Sequence, residues 1–297
     1  MADKVIYMDN HATTRVDPRV VEAMLPYYTE KYGNPHSVTH AFGWEAKAAV
    51  DSARRTISVA VGASEREILF TSGATESNNL AIRGLFEHSR SRNKRHVVSV
   101  TAEHKSVLDP LARLSRQGCD AAILDVEQIP SPRAGWLDPR HVAEAIRDDT
   151  LLVSVMLANN EIGVIQPVAE IGAICRKRGV PLHCDATQAL GKIPIDVDAL
   201  NVDLMSFSAH KLYGPKGVGA LFVRQRRPRA RLAAQLAGGG HEMGLRSGTL
   251  NVPGIVGFAR AIELAVADMP EESRRLSTLR DQLFSKLSAA VPGLLLN

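Results

Sequence analysis

From about residue 65 the chain alternates short apolar runs with stretches of helical spacing, and this alternation restricts the possible folds more than any other feature. Such a pattern is typical of parallel strands that are joined by helical crossovers. We therefore predict an α/β fold with a mainly parallel central sheet flanked by helices. The predicted strands span Ile68 to Thr71, His96 to Thr101, Ala121 to Val126, Leu151 to Leu157, Pro181 to Cys184, Val202 to Phe207 and Val218 to Val223.

Helices are predicted on both sides of this region. Asp17 and Pro18 open a helix that runs toward Lys31, and apolar residues recur at helical spacing from Ala46 to Val61. A last helix is predicted from roughly Glu271 to Val291.

The end of the chain indicates an incomplete small domain. One face of the last helix is apolar and has little to pack on, and 294–296 resembles half of a strand whose sheet is absent. We predict a large domain at 14–260 and a partial small domain made of 1–13 and 261–297. Alternatively, the helix lies on the amino-terminal part or on a second subunit. The residues of the apolar face are Leu276, Leu279, Leu283, Leu287 and Ala290.

The composition is that of an ordinary soluble protein with a large core, since the 297 residues are 45% hydrophobic and 23% charged. Met1–Lys4 leads directly into a strand-like segment, Val5–Met8, and no run of 18 apolar residues occurs, so a cytoplasmic protein without membrane contact is expected.

The three cysteines, Cys119, Cys175 and Cys184, show no Cys-x-x-Cys spacing. Neither a disulfide framework nor a zinc ribbon is therefore predicted.

The net charge of +4 raises the question of nucleic-acid binding. Both basic clusters lie between apolar segments and contain no aromatic residue that could stack on a base. We interpret them as solvated turns and predict no specific nucleic-acid binding, although an acidic protein partner stays open. The clusters are Arg224, Arg226, Arg227, Arg229 and Arg231, and Arg90, Arg92, Lys94 and Arg95.

Lys211 lies between two apolar strands, at the end of one and before the Gly214–Gly217 turn that leads to the next. A lysine in this place is partly desolvated, which favours the neutral amine that can attack a carbonyl to form a Schiff base. The alternative from this segment alone is a surface lysine in a hairpin loop.

Ligands of open parallel sheets bind beyond the carboxyl ends of the strands, so the polar residues there are candidates. Thr71–Asn78 is a glycine turn that opens a helix and could hold a phosphate, although a capping box of Ser72 or Thr75 also fits. His104 could stack on an aromatic ring or be structural. Asn159 could bond a ring oxygen or form a turn.

Asp185 ends the next strand, and Gln188 follows it three residues later. The run His183-Cys184-Asp185 resembles metal ligands, but alternation along a strand leaves only two of them on one face, so no metal is predicted.

A phosphate-binding helix start, a ring-stacking histidine, an aspartate and a Schiff-base lysine at successive strand ends are what pyridoxal 5'-phosphate requires. The aspartate keeps the pyridine nitrogen protonated, and the lysine carries the aldehyde as an imine. The chain has no Gly-x-Gly-x-x-Gly, no Gly-x-x-x-x-Gly-Lys-Ser/Thr and no Gly-x-Ser-x-Gly. Dinucleotide, nucleoside-triphosphate and hydrolase interpretations are weakened accordingly.

Long collinear motifs resemble the cysteine desulfurases of the nitrogen-fixation and iron-sulfur-assembly type, from Asp9-Asn10-His11-Ala12-Thr13-Thr14 to the last residue. The resemblance implies the aminotransferase class V version of the fold-type I architecture, a homodimer, pyridoxal 5'-phosphate as cofactor, and L-cysteine as a substrate that leaves as L-alanine. The sulfur acceptor, an iron-sulfur scaffold or a sulfur-carrier protein, stays open. The motifs are Thr71–Asn78, Thr101–Val107, Asn159–Gly163, His183–Gln188 and Ser206–Gly217.

The resemblance also implies roles for single residues. Lys211 would form the Schiff base, His104 would stack on the ring and move protons, and Asp185 would pair with the pyridine nitrogen. Thr249, in Gly244–Thr249, would reach the phosphate of the opposite subunit. The remaining implied contacts are Gln188 and Asn159 near the ring hydroxyl, and Ala74, Thr75, Ser208, Ala209 and His210 at the phosphate, with alanine at 209 where many relatives have glycine.

The family's nucleophilic cysteine and its carboxylate-binding arginine have no counterpart in this sequence. The three cysteines present are interpreted as core or turn residues. We therefore expect cofactor binding to survive and desulfurase turnover to be low. The alternatives are another reaction on the same cofactor, such as transamination, β-elimination or selenocysteine lysis, or a non-catalytic remnant that dimerises or binds a partner.

Overall fold

A computed structural model describes residues 5–89, 94–226 and 230–294. Helices and strands alternate through most of this range, as the sequence predicts. In chain order they are α1 Pro18–Met24, α2 Pro26–Thr29, α3 Ala41–Ala60, β1 Ile68–Thr71, α4 Ala74–His88, β2 His96–Val100, α5 Lys105–Ser115, β3 Asp120–Leu124, α6 Pro139–Ala145, β4 Thr150–Ser154, α7 Val168–Arg178, β5 Leu182–Asp185, β6 Leu204–Ser208, β7 Gly219–Val223 and α8 Val252–Ala290.

The seven predicted strands form one sheet in the order β1-β7-β6-β5-β4-β2-β3. β7 pairs antiparallel with both of its neighbours, and the other pairs are parallel. The short Gly214–Gly217 turn between β6 and β7 explains the one reversed strand, because a parallel return needs a crossover of a dozen or more residues. The prediction of a mainly parallel α/β sheet is thus confirmed.

The core lies on both faces of this sheet. Ile68 and Phe70 of β1 belong to the cluster that α3 and α8 cover, while Leu69 between them belongs to the cluster under α4 and α5. Successive side chains of a strand point to opposite faces, so a strand that is buried on both faces is apolar at most of its positions. The continuous apolar runs in the sequence follow from this double burial.

The first predicted helix is broken. The residues from Asp17 onward form α1 and α2, which meet at Leu25 and Pro26. Proline has no backbone N–H and its ring clashes with the preceding turn, so Pro26 begins a new helix and does not extend α1.

The last helix starts 19 residues before the predicted Glu271, at Val252, and continues through Pro270 to Ala290. Its first part is held by burial of Phe258 and Ile262 in the core and by packing of the helix on α1 and α3, and the loss of one hydrogen bond at Pro270 does not end it. The predicted apolar face is present but exposed, with Leu283 at 57%. Leu295 and Leu296 of the predicted half-strand lie outside the described residues.

The predicted strand-like segment Val5–Met8 is not a strand. It pairs with no strand of the described sheet, and Val5 is 92% exposed. A strand is stabilised by a hydrogen-bonded neighbour, and β1 and β3 are the edge strands of this sheet without Val5–Met8 beside them. Among the described residues, no helix has the length and apolar character needed to cross a membrane.

Candidate active site

A cavity of about 510 Å³ opens at the carboxyl ends of the parallel strands. Asp185 is the last residue of β5 and Ser208 is the last residue of β6, while α4 and α5 begin beside the cavity after β1 and β2. The fold therefore brings most of the predicted residues to one place. Those that line the cavity are Ala74, Thr75, His104, Asp185, Gln188, Ser208, His210 and Lys211.

The turn before α4 supplies the anion-binding end of the cavity. Gly73 has a φ of +145°, which an L side chain rarely adopts, and a Cβ on Gly219 would lie 2.7 Å from the Gly73 Cα. No side chain caps the first turn of α4, so the capping box that the sequence left open is not formed there. The first amides of this 15-residue helix, with Lys216 in the same cavity wall, suit a phosphate.

Asp185 is tied to its surroundings through both carboxylate oxygens. Its Oδ1 accepts a bond from the Thr187 backbone N–H at 2.9 Å, and its Oδ2 accepts one from Asn78 Nδ2 at 2.8 Å. Sequence reasoning did not single out Asn78. Its position one helical turn after Ala74, on the same face of α4, is the signal that could have identified it.

A hydrogen-bond chain joins Asp185 to His104. Asn78 Nδ2 also donates to Ser106 Oγ at 2.8 Å, and Ser106 Oγ lies 2.8 Å from His104 Nδ1. The Ser106 backbone N–H donates to the same Nδ1 at 3.0 Å, so this nitrogen is an acceptor and the neutral ring carries its proton on Nε2. The ring is thereby oriented with a proton on its free nitrogen.

Lys211 is half-buried in the cavity wall. Its Nζ donates to the backbone carbonyl of Ala12 at 3.0 Å and to that of His11. Desolvation lowers the pKa of its amine, although the negative charges of Asp185 and Asp9 oppose the shift. The desolvated lysine of the sequence argument is therefore present, and a freely solvated hairpin lysine does not fit.

A second lysine that the sequence argument missed lies next to Lys211. Lys192 is exposed along much of its length, yet desolvation and the positive charge of Lys211 lower the pKa of its amine to about 8. Its Nζ donates to Gln188 Oε1 at 2.8 Å. Lys192 borders a neighbouring cavity of about 520 Å³ and not the first one, whereas Lys211 borders both.

Three predicted residues do not line the cavity. Asn159 bonds the Ala102 carbonyl at 2.8 Å and caps its own turn. Ala209 is fully buried, and its N–H donates to the Val218 carbonyl at 3.2 Å. Thr249 is exposed and is not among the residues that line the cavity. Their cofactor contacts stay predictions.

All three cysteines are buried. Burial raises the pKa of Cys119 to about 11 and that of Cys175 to about 12, and it raises the pKa of Cys184 as well. A thiol with a raised pKa is protonated at neutral pH and is a poor nucleophile. This agrees with the interpretation of the cysteines as core or turn residues.

The neighbouring His183 is also structural. Its two ring nitrogens lie 2.8 Å from Ser154 Oγ and 3.0 Å from Ser206 Oγ, so both are already in use. Burial lowers its pKa to about 4, although the charge of Asp185 favours the protonated form. Within the described residues no group of three potential ligands is placed to hold a metal ion.

One member of the basic cluster at 224–231 differs from the solvated turn that was expected, whereas Arg226 and Arg231 are exposed as expected. Arg224 is buried, pairs with Asp198 at 2.7 Å and donates to backbone carbonyls of Val197 and Val202. Arg226 also pairs with Asp198, at 2.9 Å. The guanidinium of Arg224 therefore stabilises the fold. Four members of the two clusters, Arg90, Arg92, Arg227 and Arg229, lie outside the described residues.

Comparisons with known proteins agree with the geometry. The aminotransferase class-V family model matches residues 6–296. The cysteine desulfurase IscS of Anaeromyxobacter dehalogenans (strain 2CP-C) is 56% identical over 292 residues, 98% of this chain and 70% of the relative. The cysteine desulfurase of Rattus norvegicus is 51% identical over 98% of this chain and 63% of its own length.

Solved structures give the same result. A NifS-like protein superimposes with a TM-score of 0.91 at 43% identity, over 96% of this chain and 76% of its own. DndA from Streptomyces lividans does so with a TM-score of 0.83 at 42% identity, over 95% and 78%. The chain spans about 70% of the length of the first curated relatives. It belongs to the cysteine desulfurase family within aminotransferase class V, a family of pyridoxal phosphate-dependent transferases with fold-type I architecture.

Proposed function

We propose that this chain binds pyridoxal phosphate and acts on L-cysteine, with L-alanine as one product and sulfur passed to an acceptor. The observation that carries the proposal is the shared cavity. Lys211 and Asp185 come from different parts of the chain and border the same space, together with the uncapped start of α4. Sulfur would then go to an iron-sulfur scaffold or a sulfur-carrier protein.

The residues present fit the cofactor. The start of α4, Ser208 and His210 would hold the phosphate, Asp185 would hold the pyridine nitrogen, and the ring would lie against His104. Thr187 Oγ1 is buried in the cavity wall without a hydrogen-bond partner, and a polar ligand would satisfy it. When bound, pyridoxal phosphate supplies an electron sink for negative charge on the substrate's Cα.

The chain's own side chains would handle the protons. Lys211 Nζ, whose pKa is lowered by desolvation, can hold a lone pair at the cavity wall and accept the substrate's Cα proton. His104 presents a protonated Nε2 because its Nδ1 accepts a hydrogen bond from the Ser106 N–H. It can therefore donate a proton to a substrate group in the cavity. Asp185 would stabilise positive charge on the pyridine nitrogen.

The buried cysteines lead to a prediction about sulfur transfer. Because none of them offers a thiolate, sulfide and alanine release from L-cysteine is expected to be slow in buffer alone and to rise when a small dithiol is added. Alanine and sulfide are measured together, and keto acids and selenocysteine are run in parallel to separate transamination and selenocysteine lysis. Rapid alanine and sulfide release without any added thiol would contradict this expectation.

We propose further that the active unit is a homodimer and that Thr249 completes the site of the second copy. Thr249 is exposed and does not line its own cavity, and both features are expected of a residue that serves a partner.

The domain division is a separate proposal. We propose 14–260 as the large domain, with 1–13 and 261–297 as parts of a small one. The change from buried Ile262 to exposed Leu276 along α8 supports this division.

Thr249→Ala is expected to lower cofactor affinity roughly 10- to 100-fold, as for loss of a hydrogen bond to a charged group. Mixing this variant with Lys211→Ala protein should restore tight binding in part of the sites, since each mixed dimer contains one site with both residues. Cofactor titration before and after mixing measures this. No recovery in exchanged mixtures would argue against a shared site.

A further inference from the structure

Buried polar atoms without partners concentrate around Asp185. Among the described residues, five buried side-chain oxygens have no hydrogen-bond partner. Four of them belong to Asn78, Glu103 and Thr187. Asn78 and Thr187 bond Asp185 directly, and Glu103 is close enough to be influenced by its charge. Native proteins leave few such groups, so each one calls for a reason.

Glu103 is the most unusual of these residues. It is only 6% exposed, and both of its carboxylate oxygens are without a partner. The groups that face it are Asp185 and the Cys184 thiol on β5. The backbone N–H groups of Met156 and His104 lie near it and favour the ionised form, but neither reaches hydrogen-bonding geometry.

Burial, and then the charge of Asp185, raise the pKa of Glu103 well above its ordinary value. Two buried carboxylates that influence each other electrostatically cannot both ionise without a cost. Asp185 accepts two hydrogen bonds, from Thr187 N–H and Asn78 Nδ2. Glu103 has none, so the negative charge belongs on Asp185.

A second buried glutamate shows the opposite arrangement. Glu67 is fully buried, and its carboxylate accepts bonds from Ser64 N–H at 3.0 Å, Ser64 Oγ at 3.1 Å and Gln225 N–H at 2.9 Å. Burial favours its neutral form, but these bonds outweigh burial and lower its pKa. Glu67 is therefore ionised, and it provides a matched control for Glu103.

We propose that Glu103 is a neutral carboxylic acid at neutral pH and a positioning residue for the cofactor site, a buried side chain near Asp185 and next to His104 in the chain that adds no second negative charge. Of Glu103 and Asp185, Asp185 would then be the one whose charge acts on the pyridine nitrogen. The protonation state of Glu103 does not depend on the proposed function, whereas its effect on the cofactor does.

The first test uses the full chain without cofactor. Infrared difference spectra at neutral pH should show the carbonyl stretch of a protonated carboxylic acid that disappears in Glu103→Gln and persists in Glu67→Gln. An unchanged spectrum in Glu103→Gln would overturn the proposal, whatever reaction the protein catalyses.

Stability against pH gives a second measure. The pKa of Glu103 is raised in the folded state, so its stabilising contribution is complete below its unfolded pKa of about 4.3 and is lost as pH rises toward the folded value. Glu103→Gln should therefore gain stability relative to the parent as pH rises. Glu67→Gln should lose stability above its lowered folded pKa, because the parent is stabilised there.

The second test uses protein loaded with pyridoxal phosphate. Glu103→Ala should weaken cofactor binding roughly tenfold, the lower end of the effect known for residues that orient the ligands of a metal ion. Glu103→Gln should restore both the affinity and the pH dependence of the cofactor's visible absorption. An equal loss of cofactor affinity in Glu103→Ala and Glu103→Gln would mean that the negative charge of Glu103 is needed, which would overturn the proposal. No damage in Glu103→Ala would remove the positioning role. If Glu103→Ala fails to fold, Glu103→Gln and the infrared band still decide the protonation state.

Discussion

Lys211→Ala is expected to abolish covalent retention of pyridoxal phosphate and to lower turnover of L-cysteine by roughly 10²- to 10⁴-fold, the range for loss of a positioned proton-transfer group. The amine is half-buried beside the cavity, and desolvation lowers its pKa. The lowered pKa increases the fraction of neutral amine that can bond to the aldehyde carbon. The measurement is intact mass after borohydride reduction, followed by peptide mapping.

Lys192→Ala is the matched control, because the two lysines are neighbours. If only the fraction of neutral amine mattered, Lys192 would be favoured as the site of attachment, because its pKa is lowered to about 8. Geometry favours Lys211, because Lys192 borders the adjacent cavity and its Nζ is bonded to Gln188. Reduced cofactor recovered on the peptide with Lys192, or retained in Lys211→Ala protein, would show that the assignment is wrong.

The sheet could be predicted because its strands are buried on both faces. A run such as Ile68–Thr71 is apolar without alternation, and the turns around it are rich in glycine and polar residues. The helix ends were harder to predict. Pro26 and Pro270 look alike in sequence, yet one begins a new helix and the other lies inside α8, where packing of its first part on α1 and α3 decides the outcome.

The site was predictable where a single residue ends a strand, as Asp185 does, or follows one closely, as His104 does, because the carboxyl ends of parallel strands share one edge. It was not predictable where a role depends on a partner far along the chain. Asn78 reaches Asp185 across 107 positions, and Lys211 reaches the Ala12 carbonyl across 199. Neither spacing leaves a local pattern, and the unpaired carboxyl of Glu103 can be recognised only from its surroundings.

Asp185→Asn is expected to lower turnover by roughly 10²- to 10³-fold, the range for removal of one preorganised electrostatic group. An amide has almost the same shape but cannot keep the pyridine nitrogen protonated. The carboxylate also accepts from Asn78 Nδ2, and an amide can keep this bond only by directing its oxygen there. Cofactor titration and steady-state rates measure affinity and turnover separately.

Asp203→Asn is the control for this variant. Asp203 is also buried, and its Oδ2 accepts from the Leu182 backbone N–H at 3.0 Å, but it lies before β6 and away from the cavity. If loss of a buried carboxylate acted only through folding, both variants would lose stability and activity together. If the charge of Asp185 acts on the cofactor, only Asp185→Asn should change the cofactor's visible absorption and its pH dependence. Identical spectra for Asp185→Asn and the parent would therefore exclude the role assigned to Asp185.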